Sequence, residues 1–295
     1  MASSGDYKSL LKNFPSGAKS AEMRAAAPWI GVIHGSIKVA VHCCSCSRVS
    51  DLTKISRFVH ARFSPEGYAG LHLTIGAVLL IAASAVFGTI AKDVASADAI
   101  TLMDVEIARW LHAHADATLT RLLLVITNLH SPGGVIAMSI AVGVYFALRK
   151  SWYWLLSLVV AVAGGALLNI AMKYAFHRAR PIFDDPLLTL ATYSFPSGHT
   201  AGSTLFYGLL ACYLFSRTAQ WPQRALIILA AVGMVLLVGL SRMYLGVHYF
   251  TDVLGAIAEA AAWLTLTVTA VSTLRRRRLF YRQAGVAPML QDAHG

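Results

Sequence analysis

Residues 151–172 read SWYWLLSLVVAVAGGALLNIAM and run directly into KYAFHRARP at residues 173–181. The first 22 of these residues contain no Asp, Glu, Lys or Arg, and the next nine contain three cations. About 20 uncharged, mostly apolar residues are what a helix needs to cross the hydrocarbon core of a bilayer. The stretch therefore predicts a membrane-spanning helix that ends in a basic patch.

The rest of the chain extends that pattern. Of 295 residues, 57% are apolar and 13% charged, against about 25% charged in an ordinary soluble domain, and the mean hydropathy is +0.60. Apolar runs at residues 71–91, 133–148, 200–216, 225–240 and 253–273 join 151–172 to give six expected spans. The fold class is thus an all-α, polytopic membrane helix bundle with six transmembrane helices. Residues 71–273 form the bundle, residues 274–295 a basic cytoplasmic tail, and residues 1–70, basic and without sustained periodicity, a disordered cytoplasmic tail or sequence lying upstream of the true start.

Charge distribution orients the bundle. The net charge of +11 divides into +5 for residues 1–70, +2 for 71–273 and +4 for 274–295. The middle carries no continuous basic stripe, which excludes a nucleic-acid partner. Cytoplasmic loops are enriched in Lys and Arg, so both ends and the basic turns at Arg149-Lys150, Arg217 and Arg224 are expected inside. The first span then acts as an uncleaved anchor. The acidic connector of residues 92–131 falls outside, where an amphipathic helix bearing Met103, Ile107, Trp110 and Leu111 either roofs a site or merely caps the bundle. Lys173, Arg178, Arg180 and Arg242 also fall outside, against the trend.

Helix parity brings three segments to that outer face: KYAFHRARP (173–181), FPSGH (195–199) and SRMYLGVHYFTD (241–252). Lys173 and Arg180, two turns apart, share a face if the helix continues to Pro181. Arg242 adds a cation from another helix, and Ser197-Gly198 opens a helix whose N–H groups suit an anion. Such a set fits a phosphoryl group, whose transfer depends on stabilising charge on the equatorial oxygens. His248 and Asp252, spaced i, i+4, suit an oriented imidazole with one nitrogen left as nucleophile, and His199 suits a general acid.

The spacing K-x6-R-P, P-S-G-H and S-R-x5-H-x3-D resembles the three-part signature of the type 2 phosphatidic acid phosphatase superfamily. Every signature position matches, from Lys173 to Asp252. Pro15-Ser16-Gly17 shows that one piece alone carries little weight; three in order and spacing are specific. The resemblance implies that His248 attacks phosphorus to form a phosphohistidine, that Asp252 orients it and that His199 protonates the departing alcohol. It also implies that Lys173, Arg180, Arg242, Ser197 and Gly198 bind the phosphate, that no metal or other cofactor is needed, and that the substrate is a lipid phosphate or pyrophosphate held in the bilayer.

Lys or Arg at a single span end usually just reaches for the headgroups; eight signature residues together argue for chemistry. Arg178 either joins the phosphate site or faces water. Glu259 is expected in a buried interhelical hydrogen bond, Gly164-Gly165 in close helix packing, and His112, His114 and His130 at the surface. Cys43, Cys44, Cys46 and Cys212 are expected reduced and without function. Three rivals stand: a serine hydrolase on Ser197, which leaves the cations unexplained; a phosphotransferase passing the group to a lipid or sugar; and an anion transporter.

Overall fold

A computed structural model describes residues 70–188 and 190–283. The tail of residues 1–69, with Cys43, Cys44 and Cys46, and residues 284–295 lie outside the described residues. The described chain is all-α, with eight helices: α1 Leu71–Ser96, α2 Ala99–Ala113, α3 Ala117–Leu129, α4 Pro132–Leu148, α5 Trp152–Phe176, α6 Gly198–Arg217, α7 Trp221–Tyr244 and α8 Phe250–Gln283. An irregular strap, residues 177–197, joins α5 to α6.

Local chemistry sets the boundaries. Asp116 caps α3 by accepting from the backbone N–H groups of Thr118 and Leu119, at 2.8 and 3.0 Å. Ser131 caps α4 by accepting from Gly134 N–H at 3.2 Å, and Pro132 occupies the first turn, where its missing N–H costs nothing. Helix α5 stops because His177 takes a left-handed conformation (φ 48°), its N–H bonding Lys173 O at 3.1 Å. The helix therefore does not continue to Pro181, and Lys173 and Arg180 do not share a helix face. A residue preceding proline is disfavoured in the helical region, which turns the chain out of the helix before Arg180-Pro181.

Helices α1, α5, α7 and α8 are long and apolar enough to cross a membrane, and a fifth span results if α3 and α4, bent by 53° at their junction, count as one. The expectation of six differs at two points. Helix α4, expected as a span by itself, has 17 residues and reaches span length only with α3. Helix α6 has 20 residues, yet Thr200, Ser203 and Tyr213 among its buried positions lower its apolarity. It packs against α4, α5, α7 and α8, and a helix shielded from lipid by its neighbours has no need of a wholly apolar surface. The connector of residues 92–131 forms two helices rather than one.

The bundle has a polar interior and an apolar exterior. Ile75, Val78, Leu79 and Ile81 on α1, and Leu226, Leu229, Val232 and Leu236 on α7, are exposed, while Asn169, Ser203, Arg242, Asp252 and Glu259 are buried. Only a surface solvated by hydrocarbon rewards that arrangement. Close helix approach relies on small residues: a Cβ at Gly164 would overlap the indole of Trp263 on α8, and that indole donates to Val160 O at 3.1 Å, across the π-helical turn of α5. Glu259 Oε2 accepts from Asn169 Nδ2 at 3.0 Å, tying α8 to α5. Helix α8 continues past residue 273 and carries Arg275 to Arg278 within its last turns. Cys212 is a free thiol on α6.

Candidate active site

The site forms where α5, the strap, α6 and the start of α8 meet. Lys173, Arg180, Gly198, His199 and His248 line one cavity of about 400 Å³, with Asn169 beside them and an apolar wall that includes Val135, Ile136, Val162 and Leu205. Asp252 and Ser197 stand directly behind this lining: Asp252 through its contact with His248, and Ser197 through its backbone N–H, which donates to Asp252 O at 3.1 Å. The structure thus gathers residues from across the 173–252 stretch around one space.

His248 precedes α8 and is 2% exposed. Its Nδ1 faces Asp252 Oδ2 at 3.4 Å, and its Nε2 accepts from Arg180 Nη1 at 3.2 Å. Burial, the larger effect, lowers its pKa to about 3 against the opposing pull of Asp252, so the imidazole is neutral around pH 7. Neutral imidazole with Nδ1 oriented by a carboxylate leaves the Nε2 lone pair as the reactive feature.

Asp252 lies in the first turn of α8 and is fully buried. Its Oδ1 accepts from Arg178 Nη1 at 2.6 Å, and its Oδ2 from Tyr249 N–H at 2.9 Å and from Ser194 Oγ. Arg178 does not line that cavity, and its side chain is only 13% exposed. It bridges Asp252 to Asp104 on α2 at 2.7 Å, donates to Thr251 Oγ1 at 2.7 Å and lies 4.4 Å from the Tyr249 ring centre. Burial opposes its charge, but the two carboxylates outweigh that and hold its pKa above the ordinary guanidinium value.

The other cations differ in how fully they are engaged. Lys173 Nζ donates to the carbonyls of Tyr193, Ser194 and Pro196 at 2.8, 3.4 and 2.7 Å, lashing the strap to α5. Arg180 donates to Thr192 O, Val247 O, Thr192 Oγ1 and Tyr193 O at 2.7, 2.6, 2.8 and 3.2 Å. Arg242, 1% exposed at the end of α7, donates through Nη1 to Thr127 Oγ1, while its Nε and Nη2 are buried without a partner among the described residues. Buried unpaired guanidinium N–H groups are costly unless an anion meets them. Ser197 occupies the N-cap position of α6, but its Oγ accepts from Thr200 Oγ1 at 3.1 Å rather than capping the helix.

Several participants carried no sequence signal. Ser194 and Thr251 are common residue types in unremarkable positions, and Asp104 lies on an amphipathic helix whose periodicity is carried by apolar positions alone. His130 is buried rather than at the surface, bonding Tyr207 Oη at 2.7 Å and Ile126 O at 2.8 Å. His112 stacks on Phe183 at 4.1 Å and bonds Asp185 at 2.8 Å, which holds that carboxyl below its ordinary range. Among the described residues no three His, Cys, Asp or Glu side chains converge as a metal-binding set.

The bundle sets a carboxylate-oriented histidine beside a second histidine and the cations Lys173 and Arg180 around one cavity. The family model of the PAP2 superfamily matches residues 154–276 of this chain. The chain is 35% identical over 135 residues to phosphatidylglycerophosphatase B of Bacillus subtilis, covering 45% of this chain and 66% of that protein. It is 32% identical over 131 residues to decaprenylphosphoryl-5-phosphoribose phosphatase of Mycolicibacterium smegmatis, covering 42% and 62%. The chain therefore spans a little under two thirds of the length of these curated relatives. The crystal structure of a transmembrane PAP2-type phosphatidylglycerolphosphate phosphatase from Bacillus subtilis matches with a TM-score of 0.58 at 28% identity, covering 64% of this chain and 94% of that one.

Proposed function

We propose that the protein is an integral-membrane lipid phosphate phosphatase that hydrolyses a phosphomonoester or pyrophosphate of a lipid through a phosphohistidine on His248, without a metal ion. The observation that carries this reading is the setting of His248: buried, with Nδ1 toward Asp252 and Nε2 toward a cavity lined by Lys173, Arg180, Gly198 and His199. The names of the relatives, all lipid phosphatases, support the substrate class.

In this mechanism the phosphoryl group enters the cavity and displaces the Arg180–Nε2 hydrogen bond, so that the guanidinium turns to a phosphate oxygen. Nε2 attacks phosphorus, the bond to the lipid oxygen breaks, and His199 gives that oxygen its proton. Water, surrendering a proton to His199, then attacks the phosphohistidine and releases inorganic phosphate. Lys173, Arg180, Arg242, Ser197 and the Gly198 N–H hold the equatorial oxygens. A Cβ at position 198 would lie 3.3 Å from Asn169 Oδ1, so glycine there keeps the backbone open to the phosphate. The apolar cavity wall suits the first carbons of the lipid tail.

We place six spans in the bundle, α6 and the α3–α4 pair included, in the cytoplasmic membrane. The site lies on the outer face and both termini lie inside, because that orientation puts the basic turns in the cytoplasm. The serine hydrolase rival loses support, since Ser197 Oγ is engaged by Thr200 and no histidine among the described residues bonds it. The test is phosphate release from a panel of lipid phosphates by detergent-purified wild type, His199→Ala and His248→Ala, with chelator and with vanadate. Chelator-resistant, vanadate-sensitive release that vanishes in both variants is expected. Release surviving in His248→Ala removes the phosphohistidine, and transfer of the label to a lipid or sugar acceptor instead of water identifies a phosphotransferase.

A further inference from the structure

Arg178 is a cation beside the site that does not line its cavity. All of its hydrogen-bond acceptors belong to α2 or the first turn of α8: Asp104 Oδ2, Thr251 Oγ1 and Asp252 Oδ1. It therefore does not line the cavity as Lys173 and Arg180 do. Asp252 must present Oδ2 to His248 Nδ1 across 3.4 Å, longer than an ordinary hydrogen bond, and rotation of a carboxylate about its terminal torsion is soft. Tyr249 N–H and Ser194 Oγ hold Oδ2, and Arg178 on Oδ1 completes the hold that fixes where Oδ2 points.

A guanidinium on Asp252 alone would have an opposite effect, because its positive charge would blunt the field that Asp252 exerts on His248. Asp104 offsets that. Its 1% exposure and its contacts to Arg178, to Thr251 N–H at 3.0 Å and to Thr251 Oγ1 place a buried negative charge on the far side of the guanidinium. The row Asp104, Arg178, Asp252, His248 alternates in sign up to the imidazole that becomes cationic on attacking phosphorus.

We propose that Arg178 and Asp104 form a positioning pair for the histidine nucleophile: Arg178 fixes the rotation of Asp252, and Asp104 cancels the charge with which Arg178 does so. Helix α2 is thereby part of the catalytic apparatus, although the family match begins only at residue 154. The inference rests on the reading of His248 as nucleophile.

The test uses the full chain purified in detergent as wild type, Asp104→Asn, Arg178→Lys, Arg178→Gln, Asp104→Asn/Arg178→Gln and His248→Ala. Dioctanoyl phosphatidate serves as probe substrate and inorganic phosphate as competitive inhibitor, with labelled phosphoenzyme trapped by alkaline quench. Because misplacing a reacting group by about 1 Å costs on the order of 100-fold, kcat and the rate of phosphoenzyme formation should both fall about 10- to 100-fold in Asp104→Asn and Arg178→Gln. KM and the phosphate inhibition constant should stay within about twofold, since the cradle is intact, and the double variant should fall no further than the weaker single, as members of one unit do. Arg178→Gln is the variant most prone to misfold; should it elute as aggregate, Asp104→Asn and Arg178→Lys decide by the same split between kcat and KM. A kcat within twofold of wild type in those two variants overturns the proposal, as does a rise in KM and phosphate inhibition constant matching the loss in kcat, which would put Arg178 on the phosphate. Phosphoenzyme surviving in His248→Ala removes the nucleophile assignment itself; loss there with normal Asp104→Asn and Arg178→Lys removes the positioning pair alone.

Discussion

Helix α8 buries two carboxylates seven residues apart, and the chain treats them differently. Asp252, in the first turn, receives Arg178, Ser194 and the Tyr249 N–H and faces His248. Among the described residues Glu259, two turns deeper, receives only Asn169, and its Oε1 is buried without a partner. A carboxylate surrounded by donors is held as a fixed charge, which chemistry needs; one with a single amide partner is a link between helices. Depth alone does not distinguish the two, since both are at most 5% exposed. Their partners do.

The comparison can be broken most severely at Asp252. Asp252→Asn keeps the shape but removes the charge and presents an N–H or a misaligned oxygen to Nδ1; turnover is expected to drop about 10³- to 10⁴-fold, read by phosphate release under saturating substrate. His199→Ala is next: loss of a general acid is worth about 10²- to 10⁴-fold, and a substrate with a nitrophenyl leaving group, which needs no proton, should recover most of it. Arg242→Met removes the cation whose Nε and Nη2 lack partners among the described residues. Its KM should rise, and inhibition by phosphate should weaken, by at least about tenfold.

A gentler probe follows from the buried imidazole. Folding lowers the His248 pKa from 6.5 to about 3, so the folded protein binds fewer protons at that group between those values. The stability it contributes is present above pH 6.5 and declines as pH falls toward 3. Nitrogen-15 spectra of histidine-labelled protein should show His248 still neutral at pH 5; a cationic signal there would contradict the burial argument. Glu259→Gln should matter least. The hydrogen bond to α5 is replaceable by an amide, so activity should stay within about twofold and thermal stability should change by about 0.6 kcal/mol or less.

How much of this was legible in the sequence depended on residue chemistry and on range. Lys173, Arg180, His199, Arg242, His248 and Asp252 stood out because ionisable groups beside long apolar runs are expensive, and their order and spacing could be compared with a known signature. Arg178 was visible as a cation but not readable, because its role depends on Asp104, 74 residues earlier. Ser194 carried no signal, since its importance is a single hydroxyl brought to Asp252 by the strap. Spacing left open whether α5 continues to Pro181; the left-handed turn at His177 ends it at Phe176.

The sequence by itself determined that the chain is a helical membrane protein with a motif rich in cations and histidines at one end of its bundle. Apolar length, charge placement and motif spacing are local properties, and a bilayer makes them decisive by penalising every unsatisfied backbone group and misplaced charge. Only the tertiary structure decided which carboxylate pairs with which cation, that α6 is the shielded polar helix, and that α2 reaches the histidine pair through Asp104 and Arg178. Those outcomes depend on hydrogen bonds of about 3 Å between side chains far apart in sequence, which packing specifies and spacing does not.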